Sequence, residues 1–463
     1  MFRKRLLFVE TLLLIALSGC AAHRQGLPRV TPRPLGRDFL TYQAPDKPSL
    51  AVLEEPNITE PTGVITLPQA LAYALLHNPE LAVYAWQMRV SEARELQATL
   101  LPNPKVKVEV EEAGGTGERS GFDAAETTLQ LSQLIELGNK RYQRIRLASL
   151  RSQLAGWDYE AKRLDVFTKI TNAFVDVLAA QRQLGLANEM VRLSREVLTT
   201  VTQRVEVGKD SLVEKTKAQV ALSTVRLEQK HACRLLGSAR KRLAAAWGSK
   251  SAAFEHVVGQ FDKVLPVPSE EKLLRLLTQN PDILRWTVEM ERRRAVFDLE
   301  KTRAIPDPSV LGGIQHFRET DDTSFVVGLS IPLPLFDRNQ GDVLAAKRNI
   351  ARAQQQSKVA ELDVYTELVD AHQGLAGAFT EVTDIKKEVL PGAQDAFDAV
   401  TQGYRQGKFN YLDVLDAQQT LFEAKGKYVQ ALANYHKGKV RIERLIGQTI
   451  DTITYISKTI DRK

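Results

Sequence analysis

The chain has 463 residues, of which 26% are charged and only 7% aromatic, and its formal net charge is +7. That composition suits long solvated helices better than one dense globular core, and the basic excess is spread rather than clustered, which argues against nucleic-acid binding. The two cysteines, Cys20 and Cys233, exclude a disulfide scaffold and leave no Cys-x-x-Cys metal site.

Residues 1–19 read as a secretory leader. Arg3-Lys4-Arg5 precedes an apolar stretch from Leu6 to Leu17, and Ser18-Gly19 are small. Leu17-Ser18-Gly19-Cys20 resembles the bacterial lipobox, which implies that Cys20 carries a covalent lipid. Ala21 follows it with no retention aspartate, so the resemblance implies sorting to the outer membrane. Residues 20–65 are proline-rich and lack apolar periodicity, and they read as an extended, lipidated tether.

Residues 66–265 form a first repeat. It opens on Leu67-Pro68-Gln69-Ala70-Leu71, a helix start with proline in its first turn, and runs to about Leu100 with a break expected near Asn78-Pro79. Lys105-Val106-Lys107-Val108-Glu109-Val110-Glu111 alternates with period two, the pattern of a strand wet on one face. Strands are expected over about 104–112 and 124–134. A helical apolar pattern then continues from Asn139 to Gly248, broken once at Val207-Gly208-Lys209-Asp210-Ser211. This is a helical hairpin over 139–248 whose first arm is roughly 100 Å long.

Residues 266–450 repeat the plan, with strands over about 308–317 and 323–333 and a hairpin over 339–447; residues 451–463 form a tail. Four markers recur in order at a spacing of about 200 residues. Asn78-Pro79 matches Asn280-Pro281, and Leu101-Pro102-Asn103-Pro104 matches Ile305-Pro306-Asp307-Pro308. Gly208-Lys209 matches Gly407-Lys408, and Trp247-Gly248 matches Ile446-Gly447. Pro391 has no counterpart and is expected to kink or interrupt the second long helix. Each repeat is thus helix, β-hairpin, long helix, turn, helix. Four alternating strands suit a membrane β-structure, yet four cannot close a barrel, and lipid does not tolerate open edges. Spanning strands therefore require several chains to share one barrel.

With leader, duplication, hairpins and struts together, the chain resembles the TolC-like outer-membrane factors of bacterial efflux systems. The local match is Gly403-Tyr404-Arg405-Gln406-Gly407-Lys408-Phe409-Asn410-Tyr411-Leu412-Asp413-Val414-Leu415-Asp416-Ala417. The resemblance implies a mainly α fold with a small β part: a homotrimer with a shared twelve-stranded barrel and an α-helical tunnel. A second match, Glu136-Leu137-Gly138-Asn139-Lys140-Arg141, resembles the junction of cobalt-zinc-cadmium (CzcC-like) subunits, with Asn139 in place of a glycine. Asparagine also tolerates a left-handed turn.

By resemblance Asp413, Asp416 and Tyr404 match the gate at the periplasmic end. The two carboxylates lie one helical turn apart, and repeated around a threefold axis they would attract cations. An acidic helix start favoured by the macrodipole gives the same residues. The family's basic gate partner falls on Phe409, beside Lys408, so no counterpart of that partner is carried over. The resemblance makes Val207, Gly208, Lys209, Asp210, Ser211, Leu212, Gln406, Gly407, Lys408, Phe409 and Asn410 the tips that meet a periplasmic adaptor; plain turn chemistry accounts for the two glycines equally well.

The chain carries no phosphate loop, nucleophile elbow or zincin motif. It reads as no enzyme, with no resident metal and no cofactor beyond the lipid on Cys20. The expected function is an exit duct in the outer membrane, coupled through the adaptor to an inner-membrane resistance-nodulation-division pump and conducting divalent heavy-metal cations. The alternatives are a multidrug efflux channel and, from another class, a lipid-anchored periplasmic coiled-coil scaffold.

Overall fold

The computed structural model describes residues 30–46 and 60–451; the leader and Cys20 lie outside them. From Pro32 onward the chain forms one compact unit. In chain order it runs β1 (Gly63–Thr66), α1 (Leu67–His77), α2 (Pro79–Thr99), β2 (Lys105–Glu111), β3 (Glu126–Leu134), α3 (Lys140–Glu206), α4 (Leu212–Ala245) and β4 (Phe254–Val258). It continues with α5 (Glu270–Leu276), α6 (Pro281–Arg303), β5 (Ser309–Phe317), β6 (Asp322–Ser330), α7 (Gln340–Asp384), α8 (Leu390–Arg405) and α9 (Tyr411–Ile446).

The 67-residue helix α3 is the mast. Its upper half lies between α2 and α6, and its lower half between α4 and α9; α7 packs on α6 above and on α9 below. Each repeat has its own core. Leu75, Leu81, Leu164, Trp247 and Phe254 belong to the first, and Leu273, Leu368, Leu375 and Ile442 to the second.

The Asn-Pro markers prove to be helix junctions. Asn78 and Asn280 are buried, precede a helix that starts with proline, and cap it: Leu81 N–H donates to Asn78 Oδ1 at 2.9 Å, and Asp282 N–H to Asn280 Oδ1 at 2.7 Å. Their amides donate to the far ends of the returning helices, Asn78 Nδ2 to Ala246 O at 2.6 Å and Asn280 Nδ2 to Leu445 O at 2.8 Å. One residue type thus closes two helix ends in each repeat, satisfying backbone groups that burial would leave unpaired.

Four antiparallel strands, in the order β2-β3-β5-β6, form one sheet. Residues directly opposed across strands share a face, so the register sorts every side chain. One face carries the rows Val106, Leu131, Gly312, Val327 and Val108, Leu129, Ile314, Phe325. The other carries Lys107, Gln130, Gly313, Val326 and Glu109, Thr128, Gln315, Ser324. Among the described residues nothing covers the apolar face: Phe325 is 88% exposed and Val327 84%. Among the described residues no helix is long and apolar enough to cross a membrane.

Two features depart from the sequence reading, and a third gives an expected one its form. The tether is not extended over its whole length, because its Arg33–Ala44 part is docked. The buried pair Glu160 and Arg163 grips it: Arg33 N–H donates to Glu160 Oε1 at 2.7 Å and Arg163 Nη1 to Leu35 O at 2.8 Å. Leu35 N–H donates to Gly447 O at 2.9 Å, so this strap joins the two repeats. A parallel pair, β1 with β4, had no signature beyond a few residues of strand. The expected interruption at Pro391 is present and takes the form of a π turn, Ile385–Val389, between α7 and α8. A π turn accommodates the missing N–H without ending the helix.

Candidate functional site

Each helical hairpin reverses on a left-handed glycine, Gly208 (φ 74°) and Gly407 (φ 79°). The closing bonds are alike: Lys209 N–H donates to Arg204 O at 2.8 Å, and Lys408 N–H to Gly403 O at 2.9 Å. Each following helix opens with a capping box, Ser211 with Glu214 and Asn410 with Asp413. Behind both turns Val201, Ala218, Phe397, Tyr404, Tyr411, Val414 and Leu421 form one small core.

The two tips differ at one pair of facing positions in particular. In the first, Arg204 holds Asp210 in a fork, Nε to Oδ2 at 2.8 Å and Nη2 to Oδ1 at 3.0 Å. At the corresponding pair in the second, the Phe409 ring fills space left by Gly403, and a Cβ at 403 would overlap that ring.

Tyr404 ties the tips together. Its hydroxyl donates to Asp210 Oδ2 at 2.6 Å, Arg204 Nη1 donates to Tyr404 O at 3.2 Å, and the guanidinium lies 4.6 Å from the ring centroid. The hydrogen bonds from Arg204, aided by Tyr404, hold the Asp210 carboxyl below its ordinary value against a smaller opposing effect of burial. Burial, reinforced by the Asp210 charge, pushes the Tyr404 phenol up. Asp210 is therefore a carboxylate and Tyr404 a donor at neutral pH.

The predicted residues separate on this geometry. Tyr404 is buried in the tip core. Asp413 is half-buried and accepts from Asn410 N–H at 2.9 Å, so one carboxylate oxygen serves its own cap. Asp416 is exposed one turn on. Among the tip residues Val207, Lys209, Ser211, Leu212, Gln406, Lys408, Phe409 and Asn410 are exposed, and so are the two turn glycines. Asp210 is different: its side chain is only 7% exposed and faces Arg204 and Tyr404 instead of a partner's surface. The sequence reading missed Arg204. Its signal lay in the duplication, where the Arg204–Asp210 pair is replaced at both positions by Gly403 and Phe409.

The family described as outer membrane efflux protein matches residues 70–249 and 273–448. The cobalt-zinc-cadmium resistance protein CzcC of Cupriavidus metallidurans is 34% identical over 84% of this chain and 91% of its own length. The nickel-cobalt-cadmium resistance protein NccC of Alcaligenes xylosoxydans xylosoxydans is 27% identical over 65% and 68%. TolC of Escherichia coli is 24% identical over 82% of each chain. Among solved structures, the outer membrane protein VceC of Vibrio cholerae superposes with a TM-score of 0.69 at 18% identity, covering 83% of this chain and 96% of that one. CusC superposes with a TM-score of 0.70 at 15% identity, covering 92% and 99%.

Proposed function

The chain belongs to the outer membrane efflux protein family, and on that premise we propose that it is the exit duct of a tripartite system exporting divalent heavy-metal cations. Its place is the outer membrane. The observation that carries the duct is the sheet: among the described residues nothing covers its apolar face, a polar face lies behind it, and its outer edges on β2 and β6 pair with nothing. A lipid-facing sheet cannot keep open edges. Edge-to-edge closure of three copies gives twelve strands.

The helices support the same closure. On the β2 side, Val83, Val90 and Leu96 of α2 and Val213, Val220 and Leu227 of α4 are exposed. On the β6 side, Val359, Leu362 and Tyr365 of α7 are exposed. Two unlike apolar edges on one chain make a head-to-tail contact, which closes into a ring. A coiled-coil scaffold would have no use for the apolar sheet face. The tips then point away from the membrane, and their exposed residues, without Asp210, form the surface offered to a periplasmic adaptor and its inner-membrane pump. Asp416, with the free side of Asp413, lines the entrance as threefold carboxylates, which favour cations.

The cargo rests on the likeness to CzcC and NccC. Cys20 carries the lipid on this reading. A reach of ~3.5 Å per residue lets the segment from Cys20 to the strap at Arg33 cover roughly 45 Å. The rise of α3 from the foot of the sheet to Glu160 is only about 30 Å.

The deciding experiment compares growth with and without the gene across matched panels of divalent metals and organic antimicrobials. Selective sensitivity of the deletion strain to cobalt, zinc, cadmium or nickel supports metal efflux. Sensitivity to organic compounds alone removes the metal cargo and leaves the duct.

A further inference from the structure

Inside the chain, β3 hands over to α3 beside the segment that leads into β5. Ile135 N–H donates to Pro308 O at 2.9 Å, Leu137 N–H to Asp307 Oδ1 at 2.9 Å, and Lys140 Nζ lies 2.7 Å from Asp307 Oδ1. Lys140 also donates to Ile305 O. Gly138 lies so close to Ile305 that a Cβ would collide with it. The junction is an ionic clamp between two halves of one chain.

The duplication carries the two sides of this clamp to positions that do not meet within one chain. Asn139 (φ 62°, ψ 23°) and Asn339 (φ 58°, ψ 24°) are left-handed residues immediately before α3 and α7. Gln340 therefore stands where Lys140 stands. Leu101-Pro102-Asn103-Pro104 leads into β2 as Ile305-Pro306-Asp307-Pro308 leads into β5, so Asn103 stands where Asp307 stands. Within one copy Gln340 follows β6 and Asn103 precedes β2, at opposite edges of the sheet. Antiparallel closure of β6 on the β2 of the next copy sets the end of one beside the start of the other.

We propose that the junction between copies repeats the internal clamp with a neutral pair, Gln340 of one copy against Asn103 of the next. The inference rests on the closed ring proposed above. Both members are neutral where the internal clamp is charged, Gln340 for Lys140 and Asn103 for Asp307. A charge on either one alone would stand unpaired in the seam. Two amides can still exchange a hydrogen bond, and Gln340 Nε2 can meet the Leu101 carbonyl as Lys140 meets that of Ile305. Both side chains are exposed in the single copy; there Gln340 Oε1 accepts from Arg338 N–H at 2.8 Å and Nε2 donates one proton to Phe336 O at 3.2 Å, which leaves the second Nε2 proton for the seam. Beside them Leu101 and Phe336 are 63% and 90% exposed, apolar surface that the same contact covers.

The test uses the full-length protein with Cys233→Ser in outer-membrane extracts. Asn103→Cys with Gln340→Cys should give disulfide-linked dimers and trimers on denaturing gels, and neither single variant should. Asn103→Asp with Gln340→Lys should restore an ion pair and keep trimers intact to a higher temperature than either single variant. Trimers that neither cross-link nor gain heat resistance in the double variant overturn the pairing and leave the ring standing. Wild-type protein that runs only as a monomer without heating overturns the ring, and the pairing with it.

Discussion

Asp210 and Glu443 are carboxylates pushed in opposite directions. Asp210 is held below its ordinary value by Arg204 and Tyr404, so its contribution is present above an unfolded value of about 4 and is lost as pH falls below that. Asp210→Asn should therefore loosen the tip at neutral pH as acid does in the parent, read as faster amide exchange around residues 204–211 and 404–410 with the sheet unaffected. Unchanged protection would mean that the tip core alone holds the hairpins together. Glu443 is buried 3.8 Å from Lys439 and accepts from Ile450 N–H at 2.9 Å; burial pushes it up to about 7. A raised acid favours folding most below its unfolded value and loses that contribution as pH rises through 7. Glu443→Gln keeps the acceptor, so it should flatten the stability profile between pH 5 and 8 and stabilise at pH 8 by roughly 1–3 kcal/mol.

At the scale of elements, each repeat is closed by its buried asparagine. Replacing Asn78 by alanine removes a helix cap and strands the Ala246 carbonyl, and replacing Asn280 does the same to Leu445. A cap is worth ~1 kcal/mol and a buried unsatisfied acceptor about 1–3 kcal/mol more. Each variant should lower stability by roughly 2–4 kcal/mol, and the pair should add, because the two sites lie in separate cores. Chemical denaturation of the helical part measures this. Aspartate at either position would keep the cap and lose the amide, so it should recover only part of the loss. The long hairpins reuse one turn as well: both tips share the bond from the residue after the glycine, Lys209 to Arg204 and Lys408 to Gly403, and among their differences Arg204–Asp210 gives way to Gly403–Phe409.

At the scale of the whole molecule, the sheet decides what the protein can be. Val327 and Val326 are neighbours on β6, one on the apolar face and one on the polar face. Val327→Arg should cost about 2–4 kcal/mol of membrane folding, seen as loss of heat-resistant oligomer from the outer membrane. Val326→Arg should be tolerated and alter conductance instead. Equal effects of the two would contradict the sorting of faces. The strap through Arg33 and Leu35 belongs to this scale as well, since it joins α3 of the first repeat to the last turn of the second.

Much of this architecture was legible from periodicity. The spacing of Leu147, Leu154, Leu164 and Ile170 is that of one long helix, and the alternation of Lys105 to Glu111 is that of a strand with one wet face. Both are local consequences of 3.6- and 2-residue repeats. The duplication was legible too, because turn glycines and Asn-Pro pairs leave recognisable residues. Contacts between segments far apart in sequence were not. Nothing local tells that Tyr404 reaches Asp210, that Asp210 turns away from a partner's surface, or that the proline-rich segment docks on Glu160 and Arg163. Those depend on which helices become neighbours. The sequence by itself determined the elements, their order and the twofold repeat, because backbone sterics and apolar spacing act within a few residues. The tertiary structure decided which charges meet, because a hydrogen bond is set by distance in space and not by distance along the chain.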